Sequence, residues 1–147
     1  MEKFGLKGRF RIACLRDNQV IEERDTDNTI MNAGKVEVSG LILTDIGGVA
    51  FDYLAAGTGT TAPNATQTAL VGEKYRGAGT GSQTTTTVTN DTARLTASVA
   101  ITASNSLTEA GIFNSSSGGD MLARTTFSAI NVNSGDTLNI GYDVAVS

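Results

Sequence analysis

The segment Leu107–Phe127 constrains the fold more than any other part of the chain. Apolar runs precede and follow a tip, Asn114–Asp120, that contains three serines and two glycines. A tip of this composition favours a turn, and β-prone runs on both sides of a turn favour paired strands. The segment therefore predicts a β-hairpin, and we expect a β-rich domain to be built around it.

The same pattern recurs along the chain. Residues 6–24 alternate around Asp17-Asn18, a pair that tolerates the positive φ of a tight hairpin turn. The clearest strand is residues 137–146, which places five apolar side chains on one face: Leu138, Ile140, Tyr142, Val144 and Val146. Further strands are expected at 49–56, 71–76, 83–89 and 92–101, and Gly77–Ser82 is expected to be a flexible connection. Seven to nine strands predict a mainly β fold, an antiparallel β-sandwich or barrel that is jelly-roll-like.

One helix is expected near residues 29–45. Asp25–Asn28 offers capping side chains before it, and Gly47-Gly48 offers a C-terminal stop after it, although Gly34 and Gly40 weaken the helix between them. At 147 residues the chain is long enough for one domain with its own core. We therefore expect residues 1–147 to form a single β-rich structural domain, with a short N-terminal arm at residues 1–8.

Charge and hydropathy exclude some partners. The net charge is −4, and the basic side chains near the N-terminus are followed at once by acidic ones that a hairpin would place opposite them. A nucleic-acid-binding surface needs clustered Lys and Arg, so no nucleic-acid partner is expected. Apolar runs are too short to span a bilayer, and no signal peptide is recognised, so we expect synthesis in a cytoplasm and no membrane partner.

The residue types leave little room for catalysis. The chain has no histidine and a single cysteine, Cys14, which removes His-dependent catalytic triads, thiolate metal sites and an internal disulfide. Glu109 and Asp52 are the best candidates for an acid–base pair, because each interrupts an apolar stretch. A structural role is favoured for both, with capping of a turn or pairing with Arg94 or Arg124. We expect no enzyme activity and no catalytic residue.

Two polar loops resemble ligand sites only in composition. Gly57–Thr61 has the glycines of a phosphate loop but lacks its Lys-Ser/Thr ending, and Asp25–Asn28 has oxygen ligands without the later Gly and Glu of a calcium loop. The second stretch is better explained as a helix cap. The five Phe and three Tyr lie mostly in apolar strands, which leaves few platforms for sugars. No cofactor and no metal are expected.

Several motifs occur in an order that resembles a known protein family. They are DNTIMNAG at 27–34, YLAAGTGTTAP at 53–63, then Leu70, Glu73 and Arg76, LTEAGIF at 107–113 and MLARTTF at 121–127. In this order they resemble virion structural proteins of tailed bacteriophages, over roughly residues 10 to 146. Some members are similar to head decoration (cement) proteins, and others are tail or fibre components.

The resemblance implies a structural role in a virion. We expect a capsid decoration protein that binds the outer head shell and stabilises it by bridging subunits of the major capsid protein. It would act as a homotrimer on the capsid surface after synthesis in the host bacterial cytoplasm. Met1–Gly8 or Gly77–Ser82 would reach a neighbouring subunit or the shell. The alternatives are a tail, neck or fibre component of the virion, or a receptor- or glycan-binding module.

Overall fold

A computed structural model describes residues 1–147 as ten strands and one helix. In chain order the elements are β1 (Leu6–Arg16), β2 (Gln19–Asp27), β3 (Thr29–Ile30), α1 (Asn32–Leu41), β4 (Tyr53–Gly57), β5 (Glu73–Ala78), β6 (Thr80–Thr84), β7 (Thr92–Ala100), β8 (Asn105–Phe113), β9 (Met121–Val132) and β10 (Thr137–Val146). Sheet A has the order β2-β1-β10-β7-β6, and sheet B has the order β3-β9-β8-β4-β5. All pairings are antiparallel, so the predicted β-sandwich is confirmed.

The core lies between the two sheets, because alternate side chains of each strand point inward. The central strands β1 and β10 contribute Phe10, Ile12, Leu138 and Ile140, each at most 1% exposed. These side chains belong to one cluster of 18 buried residues that draws on both sheets. The apolar side chains at alternate positions of residues 137–146 therefore identify the face of sheet A that points inward.

The predicted hairpins are present. Asp17 and Asn18 have φ values of 53° and 62° in the turn between β1 and β2, which Asn and Asp tolerate better than most residues. The tip between β8 and β9 contains Gly118 and Gly119, both with positive φ. Leu107–Phe127 thus forms the pair of strands at the centre of sheet B.

The helix is shorter than the predicted span of residues 29–45. Thr29–Ile30 pairs with β9 as a strand, and α1 ends at Leu41, before the turns of residues 42–46. Gly47 has a φ of +80° but lies beyond the helix, whose C-cap is Ile42, so the predicted glycine stop was wrong. Gly34 serves packing instead, since a Cβ there would lie 2.6 Å from the Cα of Leu122.

Other boundaries also differ from the sequence prediction, among them the start of the strand predicted at 49–56, which is at Tyr53. Gly77–Ser82 is not a flexible connection, because it contains the end of β5 and the start of β6 and carries the chain from sheet B to sheet A. The strand predicted at 83–89 lies earlier, at Thr80–Thr84. Residues 5–8 of the predicted arm lie along the C-terminal end of β10: Gly5 and Ser147 exchange two backbone hydrogen bonds and Leu6 pairs with Val146. Only residues 1–4 precede the sheet.

Candidate functional site

Glu109 is the most deeply buried acidic side chain, and all its contacts are within this chain. It lies on β8 with no exposed surface. Its Oε1 accepts hydrogen bonds from the backbone N–H of Gly59 at 2.9 Å and Gly72 at 2.6 Å, and its Oε2 accepts from the N–H of Val71 at 3.0 Å. Arg124 on β9 donates from Nε to Oε2 at 2.9 Å. The carboxylate is therefore a structural anion that holds the connection between β4 and β5.

Arg124 completes this arrangement from the other side. Its Nη1 donates to the backbone oxygen of Thr61 and to Oε1 of Gln67. Its Nη2 lies 2.8 Å from Oε2 of Glu109 but outside hydrogen-bond geometry, so this contact adds charge attraction rather than a directed bond. Of the two predicted partners of Glu109, Arg124 is correct, whereas Arg94 pairs with Asp143.

The environment keeps Glu109 ionised. Burial alone would raise its pKa, but hydrogen bonds from Gly72, Val71, Arg124 and Gly59 outweigh burial and lower the pKa. A carboxylate that is fully buried, ionised and saturated with donors has neither access to a substrate nor a proton to give. Its geometry favours the structural role.

The glycine-rich loop Gly57–Thr61 does surround an anion, and that anion is Glu109. A Cβ on Gly59 would lie 2.6 Å from the Oε1 atom of Glu109, and a Cβ on Gly57 would lie 2.7 Å from the same atom. The glycines therefore allow close approach of the backbone to a carboxylate of the same chain. The similarity to a phosphate loop has this physical origin.

Asp52 and Glu109 are not brought together. Asp52 is exposed and precedes β4, so its predicted place inside a buried strand was wrong. In the register of β4 with β8, Tyr53 lies opposite Phe113 and Gly57 opposite Glu109. Asp52, one residue before Tyr53, is thus five residues from the position opposite Glu109, about 16 Å along the strand. They cannot act as an acid–base pair.

The stretch Asp25–Asn28 neither caps the helix nor forms a cation loop. Asp25 accepts hydrogen bonds from the guanidinium of Arg9 across the β1–β2 hairpin. Asn28 donates to the hydroxyl of Tyr142 at 2.9 Å, and the N-cap of α1 is Met31, without a capping side chain. The predicted cap was therefore wrong. No group of three or more acidic, Cys or His side chains in the structure could hold a metal ion.

Cys14 belongs to a buried polar cluster at the turn before β10. Asp136, only 3% exposed, accepts two hydrogen bonds from Arg16, one from the thiol of Cys14 and one from the backbone N–H of Asn133. Burial, with the neighbouring Asp136, raises the pKa of the Cys14 thiol to about 11. The thiol is therefore protonated and enclosed, which matches the expected role of a small core residue.

The two edges of sheet A differ sharply in charge. The edge strand β2 carries five charged side chains in nine residues. The opposite edge strand β6, TGSQT, carries none, and no residue from Gly77 to Asn90 is ionisable. Charged side chains on an edge strand discourage pairing with another strand. We call Thr80–Thr84 the open edge, because no charged side chain on this strand discourages pairing with another strand.

An apolar groove adjoins the open edge. This end groove has a volume of about 350 Å³, and hydrophobic residues make up 12 of the 16 that line it. Gly81 and Ser82 form its wall on the side of β6, and Leu41 and Phe51 are among the residues that line it elsewhere. A Cβ on Gly81 would meet nothing within 4 Å, so packing within this chain does not require glycine there.

A second, more polar groove crosses sheet A. It has a volume of about 860 Å³ and is lined by residues of all five strands of sheet A and by Ala78 of β5. The lining includes Arg11, Glu23, Ser98, Asn139 and, from the open edge, Thr80. No aromatic side chain lines it. Its polar groups could bind hydroxyl-rich ligands, but it lacks the aromatic platforms on which sugars usually stack.

Comparisons with models of protein families, with curated proteins and with solved structures return no match to this chain. The structure contains no helix with the length and apolar character needed to cross a membrane.

Proposed function

We propose that this chain is a bacteriophage capsid decoration (cement) protein, which binds the outer head shell and bridges subunits of the major capsid protein. The observation that carries the proposal is the open edge beside the end groove. An uncharged edge strand can accept an extended segment of another protein through backbone hydrogen bonds, and an adjoining groove can receive alternate side chains of that segment. The order of sequence motifs provides independent support.

Gly81 adds to this argument. Glycine in the middle of a strand destabilises the strand by roughly 0.5–1 kcal/mol relative to alanine. At Gly81 neither a left-handed φ nor a close contact inside the chain explains the residue. Glycines of this kind often mark a position where another backbone approaches closely. On this proposal, the approaching backbone belongs to the major capsid protein.

The role requires self-association and a site on the virion. We propose a homotrimer located on the capsid surface, after synthesis in the host bacterial cytoplasm. Three copies present three open edges, and simultaneous binding of several edges raises avidity without any new type of contact. A bridging role follows, because each open edge can bind a different capsid subunit.

Electron microscopy of virions labelled with antibody against this chain tests the location. We expect dense labelling over the whole head. Labelling confined to the neck or tail would contradict the cement role and would favour a tail, neck or fibre component. An unlabelled particle would contradict any role in the virion.

A pair of variants tests the open edge. Ser82→Lys places one charge on β6, where the side chain is exposed, and Gln19→Lys places the same charge on the protected edge β2. We expect Ser82→Lys to weaken binding to shells stripped of the protein at least tenfold in a co-sedimentation assay. Gln19→Lys should bind as wild type does. Equal binding by the two variants would contradict docking at the open edge.

The groove that crosses sheet A favours a second candidate, a receptor- or glycan-binding module. Its volume and its polar lining, which includes Arg11, Glu23 and Asn139, suit an oligosaccharide better than an apolar ligand. A glycan array tests this alternative. Specific binding that is lost in Asn139→Ala would support it, and an array without hits would remove it.

A further inference from the structure

Helix α1 and the turns after it expose an unusual number of aliphatic side chains. Thirteen large hydrophobic residues of the chain are exposed, and six of them lie within the 14 residues from 36 to 49. We call these six the helix patch: Val36, Leu41, Ile42, Leu43, Ile46 and Val49. Leu41 also lines the end groove, so the two surfaces adjoin at this residue. Each of the six is between 45% and 68% exposed. A surface helix usually turns such side chains toward the core.

The packing of α1 explains why the patch faces outward. The two buried residues of the helix are Gly34 and Gly40. Gly34 lies against the backbone of Leu122, and Gly40 lies against the backbone of Gly48. Gly34 brings the first half of the helix close to the sandwich, and Gly40 brings the connection after the helix back against it. Most of the large side chains of α1 and of the turns after it are left on the outside.

The size of the helix patch matches one side of a protein interface. At the observed exposures its area is of the order of 500 Å², near the upper end for the largest apolar patch on a typical monomer. A standard interface buries about 800 Å² on each partner, of which roughly 450 Å² is apolar. The patch alone therefore supplies the apolar area that one side of a stable interface needs.

We propose that the helix patch is buried against a second copy of this chain. This inference rests on the self-association included in the proposed function and names its surface. An apolar patch near the upper end of the range for monomers is often functional, and a partner present from synthesis would cover it earliest. Another copy meets that condition, whereas an assembled shell is available only later. The charged residues beside the patch have both signs, Lys35 against Glu37 and Asp45, so a contact between two copies can bring opposite charges together.

A cavity beside the patch indicates how the copies meet. It has a volume of about 240 Å³ and lies between the N-terminal segment and α1, where Phe4, Val38 and Ile42 line it. The exposed turns of residues 42–46 adjoin this cavity, because Ile42 belongs to both. We expect the turns of one copy to contact the cavity of the next. Such a contact is head-to-tail, and it forms a closed ring such as a trimer when the rotation between copies closes.

Sedimentation equilibrium on the full chain tests the interface. The protomer mass is 15.2 kDa, and we expect wild type to sediment at three times that mass at about 10 μM. The double variant Leu43→Lys/Ile46→Lys should sediment as a monomer. The control Val20→Lys/Val88→Lys carries the same added charge at two exposed valines outside the patch and should keep the wild-type mass. Far-UV circular dichroism verifies that both variants are folded.

Wild-type monomers at 100 μM, or a patch variant that retains the wild-type mass, would overturn this interface. Hydrogen exchange of the wild-type chain provides a test that needs no variant. We expect the backbone amides of residues 41–49 to become more protected as the concentration rises from 0.5 to 100 μM, and unchanged protection would contradict the proposal. Virion labelling is a separate measurement, so a wrong interface and a wrong virion role remain distinguishable.

Discussion

Replacing Glu109 with glutamine removes the only anion inside the loop between β4 and β5 while preserving the shape of the side chain. The carboxylate accepts four hydrogen bonds, three from backbone N–H groups and one from Arg124. A glutamine oxygen can accept at most two of them, and its NH₂ group would face donors. The guanidinium of Arg124 would also remain buried without its counter-ion.

The magnitude follows from that geometry. Removing one partner of a buried ion pair destabilises a protein by about 3–5 kcal/mol, because an uncompensated charge remains buried. The free energy of unfolding of a domain is typically about 5–15 kcal/mol. We therefore expect Glu109→Gln to remove a large fraction of the stability and to lower the Tm by on the order of 10 °C.

Urea unfolding followed by far-UV circular dichroism measures this change. The matched control is Asp25→Asn, which breaks the exposed ion pair with Arg9 and should leave the free energy of unfolding nearly unchanged, because solvent screens such a pair. Arg124→Gln should resemble Glu109→Gln, and the double variant should lose less than the sum of the two, since the residues share one interaction. A Glu109→Gln variant as stable as Asp25→Asn would refute the structural role of this pair.

Three further results are expected. Gly34→Ala should destabilise the protein by about 1–3 kcal/mol in urea unfolding, because its Cβ would lie 2.6 Å from the backbone of Leu122. Gly81→Ala should be neutral or stabilising by up to about 1 kcal/mol, because a Cβ there meets nothing within 4 Å. The thiol of Cys14, buried and with a pKa of about 11, should not react with a thiol reagent at pH 8 until urea unfolds the chain. Hydrogen bonds from Arg16 and Asn133 lower the pKa of Asp136 in the folded protein. The ionised Asp136 therefore contributes its full stabilisation to the fold above the ordinary Asp pKa of 3.8, and this contribution is lost as the pH falls below that value. The urea midpoint should therefore fall in acid, and less steeply in Asp136→Asn.

The sequence was most informative where a buried face imposes a period of two. Residues 137–146 and the two hairpins were predicted correctly, because the side chains of each strand must alternate between core and solvent. The turn at Asp17-Asn18 was equally predictable from its tolerance of positive φ. Local chemistry and burial agree at these positions, so a single sequence was sufficient.

Prediction failed at two segments that contain glycine, for different reasons. Gly77–Ser82 lacks apolar alternation because β6 is an edge strand with mostly exposed residues, so its composition suggested a loop. Gly34 suggested a weak helix, yet it allows α1 to approach Leu122. Both roles depend on neighbours that are distant in the sequence.

The site around Glu109 was predictable only in part. An acidic residue within the apolar stretch of β8 indicated a buried structural carboxylate, and Arg124 was one of two partners considered. Nothing in the sequence indicated that Gly59, Val71 and Gly72 would surround it, because those donors are backbone groups. Any residue type can supply a backbone N–H, so only the three-dimensional path of the loop identifies the donors.

The two proposed contact surfaces differ in chemistry, and this difference suggests a division of roles. The helix patch is aliphatic, so its exposure to water is unfavourable at every stage before assembly. The open edge instead exposes small polar side chains and backbone groups that water can hydrate until another strand replaces the water. An aliphatic surface such as the helix patch suits a contact that forms early and persists. A hydrated surface such as the open edge suits a contact that forms later, when the partner is present. We therefore expect the helix patch to join copies of this chain before the open edge meets the shell. Shell binding should consequently be weakened in Leu43→Lys/Ile46→Lys, even though the open edge in that variant is intact.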